Sequence, residues 1–209
     1  MTARKDSAAN FSAAVLCGGK SRRAGFDKQT IQVDGLWIAV RIAQSLATVF
    51  DDVLLVTNRP ELYRDSGFRV VGDILPDAGP LGGIHAGLTY AKQEQLFVTA
   101  CDMPHVNEGY LRWLCRAARD EGAKKDALVV QLINGMLEPM NAIYRKSCLP
   151  EVERSITGGE RKIADLLQRI DTLYLPESAL APFGGRERLF FNMNTPEEIQ
   201  YYQSRQNTR

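Results

Sequence analysis

At 209 residues, 44% of them hydrophobic, the chain suits one domain with a substantial core. Its 26 basic residues nearly balance 25 acidic ones, for a net charge of +1, which argues against a general nucleic-acid or membrane-surface protein. No apolar run reaches the roughly 20 residues that span a bilayer, and the polar residues 1–12 lack the apolar centre of a signal peptide. The expectation is a cytoplasmic protein with a flexible lead over residues 1–12 and a single domain over 13–209. The cysteines Cys17, Cys101, Cys115 and Cys148 contain no C-x-x-C pair, so a zinc site is not expected and the thiols read as small buried side chains.

The first predicted element is a buried strand, Ala13-Ala14-Val15-Leu16. It feeds directly into Cys17-Gly18-Gly19-Lys20-Ser21-Arg22-Arg23-Ala24-Gly25-Phe26-Asp27-Lys28. Glycines let the backbone turn sharply and approach a ligand, and successive N–H groups in such a turn form an anion-binding nest. Lys20, Arg22, Arg23 and Lys28 crowd together, which is unfavourable without an anionic partner such as a polyphosphate.

Thr30-Ile31-Gln32-Val33 then alternates as a short extended arm ending at Asp34-Gly35. Residues 37–50 carry Ile38, Ile42, Leu46 and Val49 at helical spacing. A second strand covers 53–57, a short helix runs through Leu62 and Tyr63, and a third strand covers 68–71, ending at Gly72-Asp73. A second glycine-rich loop over 75–83 leads into a helix over 84–91. The fourth strand, 96–100, stops at Cys101-Asp102-Met103-Pro104. A helix over 108–121, a fifth strand over 127–132, a hairpin turn at Asn134-Gly135 and a returning strand over 141–144 come after it. Helices over 147–155 and 160–169 and late strands over 172–175 and 189–191 come next. Thr195 as N-cap and Pro196 in the first turn open a final helix.

Apolar strands alternating with helices predict an α/β fold, three-layered and Rossmann-like, with a mostly parallel sheet and an antiparallel element at the hairpin. Ligands of such sheets bind at the carboxyl ends of the strands. Those ends carry the basic loop, Asn58-Arg59, Asp73 and Asp102. An acid at a strand end, opposite a phosphate loop, suits Mg²⁺, which takes one or two carboxylates plus phosphate oxygens and water. Asp102 is the first candidate and Asp73 the second, although both positions also read as turn formers. The patterns G-x-x-x-x-G-K-[ST] and G-x-G-x-x-G are absent. His85 and His105 lie near these loops without a Ser/His/Asp pattern and read as bystanders.

The string from Leu16 to Lys28 resembles the signature L-A-G-G-x-S-x-R-M-G-x-D-K of the MobA-like nucleotidyltransferases, matching at Leu16, Gly18, Gly19, Ser21, Arg23, Gly25, Asp27 and Lys28. Gly79-Pro80-Leu81-Gly82-Gly83-Ile84, Cys101-Asp102-Met103-Pro104 and Asn192-Met193-Asn194-Thr195-Pro196-Glu197-Glu198 are similar to its G-P-L-x-G-I, C-D-M-P and N-x-N-T-P-E-E, in the same order. Cys17 and Ala24 depart from it, standing where the family has alanine and methionine.

The resemblance implies a nucleotidyltransferase fold and the transfer of GMP from GTP to molybdopterin, giving a guanine dinucleotide cofactor and pyrophosphate. It implies that the backbone of Leu16, Cys17 and Gly18, with Gly19 and Ser21, holds the nucleotide. It further implies that Arg23 and Lys28 bind the triphosphate and that Asp73 contacts the nucleotide. Pro80, Leu81 and Gly83 would line the pocket, Asp102 would hold Mg²⁺, and Asn194, with Asn192, would complete the surroundings. The implied partners are GTP, molybdopterin and molybdoenzyme maturation proteins, with no nucleic acid or membrane. Gly18-Gly19 favours guanine over the alternatives, a cytidylyl transfer or a phosphosugar acceptor. A catalytically idle nucleotide-binding module is a further alternative. Arg145 and the stretch Gly158-Gly159-Glu160-Arg161-Lys162 offer cations for the acceptor's phosphate.

Overall fold

The structure, a computed structural model, describes residues 8–18 and 27–206. In chain order, β1 (Phe11–Leu16) is followed by a hairpin of β2 (Gln32–Val33) and β3 (Leu36–Trp37), α1 (Ile38–Leu46), β4 (Asp52–Val56) and β5 (Arg69–Val71). Then come α2 (Pro80–Tyr90), β6 (Gln95–Ala100), α3 (Glu108–Asp120), β7 (Ala127–Gln131) and β8 (Leu137–Arg145). The chain continues through α4 (Leu149–Thr157), α5 (Ile163–Leu167), β9 (Thr172–Pro176), α6 (Gly185–Leu189) and α7 (Pro196–Gln206). Among the described residues no helix is long and apolar enough to cross a membrane.

Seven strands form one sheet in the order β5-β4-β1-β6-β8-β7-β9. β1 lies inside it, between β4 and β6, with every residue buried, which is why its sequence is a continuous apolar run rather than an alternation. Ala13 and Val15 pack on one face with α1, α3 and α7, whereas Ala14 and Leu16 pack on the other with α2, α4 and α5. Helices on both faces make the three layers anticipated from the sequence. Within the sheet, β5, β4, β1 and β6 are mutually parallel and β8 alone runs against its neighbours. The carboxyl ends of the four parallel strands therefore share one rim with the amino end of β8.

Several boundaries differ from expectation. β1 begins two residues early, at Phe11, because the buried Ser12 hydroxyl donates to Asp52 Oδ2 at 2.6 Å and so satisfies a polar side chain inside the strand. The expected loop over 80–83 is the first turn of α2. Gly79, at φ 60° and ψ −144°, takes a conformation that only glycine holds readily, and Pro80 starts the helix. The glycines of α2 serve close packing on the sheet: a Cβ at Gly87 would meet Leu96 Cδ2 at 2.8 Å, and one at Gly83 would meet Leu16 Cδ1 at 3.1 Å. Residues 189–191 are not a strand. Leu189 ends α6, and Phe190 and Phe191 pack among α3 and α7 rings instead of joining the sheet. The hairpin turn is as expected, with Gly135 at φ 81°, but β8 starts at Leu137, four residues before the expected return.

Candidate active site

The residues that follow β4, β5 and β6 deliver polar groups to the rim. Beyond β4, the Asn58 amide donates to Asp73 Oδ2 at 2.7 Å, and its Oδ1 accepts from the Asp73 backbone N–H at 3.1 Å. This reciprocal pair ties the ends of β4 and β5 and orients the Asp73 carboxylate. Behind Asp73 lies the first turn of α2, with a Cβ at Gly82 placed 3.6 Å from Asp73 Cγ. Pro80 is exposed at that turn, while the Leu81 side chain is fully buried in the core. Leu81 can therefore offer a ligand only its backbone. Leu16 is buried against Gly83, and Gly18 is exposed at the mouth of the basic loop.

Beyond β6, the Asp102 carbonyl accepts from the Met193 N–H at 2.8 Å, which docks the residue 192–194 segment against the strand end. Lys28 joins the two. Its Nζ donates to Asp102 Oδ2 at 2.6 Å and to Asn194 Oδ1 at 2.6 Å. Lys28 is held in place by the turn that starts just before it. Asp27 caps that turn by accepting from the Gln29 N–H at 3.0 Å, and Arg59 pairs with Asp27 at 2.6 Å. Tyr63 donates to the Gln29 carbonyl, and Thr57 to its side chain. Asn194 is fixed from its other side: the Glu198 carboxylate accepts from the Asn194 and Thr195 N–H groups at the start of α7.

Lys28, Asp102 and Asn194 thus meet from three distant parts of the chain. Gly19, Ser21 and Arg23, with Lys20, Arg22 and Ala24, lie outside the described residues. The two oxygens that face Lys28 Nζ come from a carboxylate and an amide, the hard donors a divalent cation prefers. Among the described residues no three His, Cys, Asp or Glu side chains gather as a metal cage. The donor set fits a cation that takes its remaining ligands from substrate phosphates and water.

Cys17 and Cys101 are the next residues after the paired Leu16 and Ala100 on adjacent strands, and both are buried. Burial, and then the neighbouring Cys101 thiol, push the Cys17 thiol well above the usual range, so it is packing rather than a nucleophile. All four cysteines are free and buried. His85 is turned towards α4, where its Nε2 meets Glu153 Oε1 at 3.1 Å. His105 packs on the rings of Phe191 and Tyr202. Arg145 does not reach the site: it lies at the far end of β8 and donates to the carbonyls of Lys125 and Gly122. Arg161 does come near the rim, donating to the Asp77 carbonyl at 2.8 Å in the loop before α2.

One residue escaped the sequence reading. Glu138, near the start of β8, is only partly exposed and stands on the same rim as Asp102. Burial, and then the negative Asp102, push its carboxyl up to about 7 against an opposing Met140 N–H bond. The available signal was a single acid inside the run Met136-Leu137-Glu138-Pro139-Met140.

Elsewhere on the molecule, a groove of about 1480 Å³ runs past Arg41, His105, Arg188, Tyr201 and Arg205, on the α1–α7 side, and contains neither Lys28 nor Asp102 nor Asp73. The strand-end position and the convergent donors outweigh it, because open α/β sheets bind ligands at that rim.

Residues 13–173 match the MobA-like NTP transferase domain. A probable molybdenum cofactor guanylyltransferase of Peptoclostridium acidaminophilum is 39% identical over 194 residues, covering 91% of this chain and 87% of the relative. The molybdenum cofactor guanylyltransferase of Syntrophotalea carbinolica is 36% identical, over 90% of this chain and 89% of its own. The crystal structure of molybdopterin-guanine dinucleotide biosynthesis protein A from Archaeoglobus fulgidus superposes with a TM-score of 0.81 at 28% identity, covering 95% of this chain and 100% of that one.

Proposed function

The chain belongs to the MobA-like NTP transferase family, and from that premise we propose that it transfers GMP from GTP to molybdopterin, releasing pyrophosphate. The observation that carries the reading is the meeting of Lys28, Asp102 and Asn194 at the rim. An idle nucleotide-binding module has no need of a carboxylate, an amide and a cation focused on one point.

The terminal phosphate of molybdopterin attacks the α-phosphorus of GTP. A new P–O bond forms as the bond from the α-phosphorus to the bridging oxygen breaks, and the electron pair leaves with pyrophosphate. Such transfers ask the protein for positioning and charge neutralisation rather than covalent chemistry. Lys28 supplies N–H donors to phosphate oxygens, and Arg23 adds a second cation from the basic loop. Asp73, oriented by Asn58, meets the nucleotide, while the backbone of Leu16, Cys17 and Gly18, with Gly19 and Ser21, cradles it beside the first turn of α2. Asp102 and Asn194 would hold Mg²⁺, which supplies charge neutralisation at the phosphates. Arg161, whose three hydrogen bonds all go to carbonyls, keeps a positive charge available to the acceptor's phosphate. The product, a dinucleotide cofactor, passes to the maturation of molybdoenzymes, and the reaction runs in the cytoplasm.

The test is direct. The protein is incubated with molybdopterin, Mg²⁺ and each of GTP, CTP, ATP and UTP in turn, and the dinucleotide is identified by mass. Product with GTP is expected. Product with CTP alone would replace guanylyl by cytidylyl transfer, and no product with molybdopterin and any of the four nucleotides would sink the reading.

A further inference from the structure

Among the described residues, the reaction leaves Glu138, a charged side chain at the rim, without a task. β8 runs antiparallel to β6, so its first residues lie beside the strand end that carries Asp102. Glu138 is the second residue of β8, opposite Val130 of β7. Its carboxylate accepts one hydrogen bond, from the Met140 N–H at 3.3 Å, and no cation among the described residues pairs with it. Other shielded acids are compensated: Asp52 by Arg69 and Ser12, Asp102 by Lys28, Glu151 by Arg169. A shielded carboxylate that accepts a single hydrogen bond and pairs with no cation is costly, so its place at the rim suits a ligand's donors better than the fold's.

Topology says which ligand. Asp102 stands mid-sheet on β6. Gly18, Asn58 and Asp73 follow β1, β4 and β5 and lie on that side, which is the nucleotide's side on the reading above. The acceptor, with its phosphate at Asp102, is left the β8 side. Its phosphate would be repelled by Glu138, but its pterin carries a 2-amino group next to a ring N–H. Those two parallel donors match the two oxygens of a carboxylate, in the way a guanidinium fork does. We propose that Glu138 accepts hydrogen bonds from the N–H edge of the acceptor's pterin and thereby selects a pterin phosphate as the second substrate. The inference rests on the guanylyl-transfer reading above.

Steady-state kinetics with wild type, Glu138→Gln and Glu138→Asp test it, with GTP and Mg²⁺ saturating and molybdopterin varied. For Glu138→Gln the expected KM for molybdopterin rises about 10- to 100-fold, the loss for a hydrogen bond to a charged group. The value for kcat changes far less, and GTP affinity measured without acceptor and the Mg²⁺ dependence stay as in wild type. Glu138→Asp, which keeps the carboxylate, falls between. An unchanged KM for molybdopterin in a folded Glu138→Gln would overturn the inference. So would a shift in Mg²⁺ requirement or GTP affinity of the same size, which would make Glu138 part of the metal or nucleotide site. If wild type itself converts molybdopterin with no nucleotide, the guanylyl-transfer reading fails and this inference falls with it.

Discussion

Replacing Glu138 by glutamine should make the ligand-free protein more stable, by an amount that depends on pH. The carboxyl rises from its ordinary 4.5 to about 7 in the fold. At 1.36 kcal/mol per pK unit, that shift corresponds to about 3 kcal/mol of destabilisation once the group is ionised. Below pH 4.5 the carboxyl is protonated in both folded and unfolded chains and the cost is absent. Between 4.5 and about 7 the unfolded chain ionises first, so stability falls as pH rises. Above 7 the group is charged in both states and the full cost stands. A buried amide carries a smaller desolvation cost of its own, which leaves an expected gain of about 1–3 kcal/mol at pH 8. For a domain of this size that is on the order of 2–10 °C in Tm.

Urea denaturation of wild type and Glu138→Gln, in steps from pH 5 to pH 8.5 and without nucleotide, reads the gap directly. It should be small at pH 5 and widen towards pH 8. A variant less stable than wild type at pH 8, or a gap independent of pH, would show that Glu138 supports the fold and would refute the reasoning.

The remaining expectations concern other parts of the rim and core. Lys28→Ala and Asp102→Ala should each lower turnover about 10²-fold or more, read as pyrophosphate release at saturating substrates; a folded variant at the wild-type rate would remove that residue from the mechanism. Gly87→Ala places a methyl 2.8 Å from Leu96 Cδ2 and should cost about 1–3 kcal/mol by overpacking, seen as a lower Tm with kcat per folded molecule unchanged. Burial alone would raise the Asp52 carboxyl, but the Ser12 hydroxyl, the Lys92 N–H and Arg69 together hold it below 3.8. Asp52→Asn should therefore cost about 2 kcal/mol near neutral pH, and the difference should close as the pH falls below 3.8 and through the lower folded value. A loss that persists in full at pH 3 would contradict the assignment.

The fold and half of the site were legible for the same reason. Strand ends in a parallel sheet are marked by abrupt changes from apolar to polar residues, and Leu16-Cys17-Gly18, Val71-Gly72-Asp73 and Ala100-Cys101-Asp102 all show one. Where a signal has two physical meanings, the sequence misleads. The glycines of α2 read as loop because conformational freedom and close packing call for the same residue, and only the 3.1 Å approach of a Cβ at Gly83 to Leu16 tells them apart. Residues 189–191 read as a strand because an apolar triplet serves equally well to pack rings from an irregular segment. Lys28 lies 74 residues from Asp102 and 166 from Asn194: the strand-end rule brings the first two to one rim, but Asn194 was visible only through the motif resemblance.

Glu138 was illegible for a topological reason. The carboxyl end of a strand is marked by the residues just after it, and Glu138 stands at the beginning of one. Only the reversal of β8 brings an amino end to the catalytic rim. That reversal also sorts the charges. On the side proposed for the nucleotide, the parallel strand ends present Asp73 and, by way of the Asp27–Arg59 pair, a fixed Lys28. On the β8 side the sheet presents an acid. On the proposed reading, a triphosphate is attracted to the first side and repelled from the second, while an acceptor with one phosphate and a donor-rich ring is accommodated across the two. The reaction joins two anions that must not exchange places, and one antiparallel strand in an otherwise parallel half-sheet gives the rim the polarity to tell them apart.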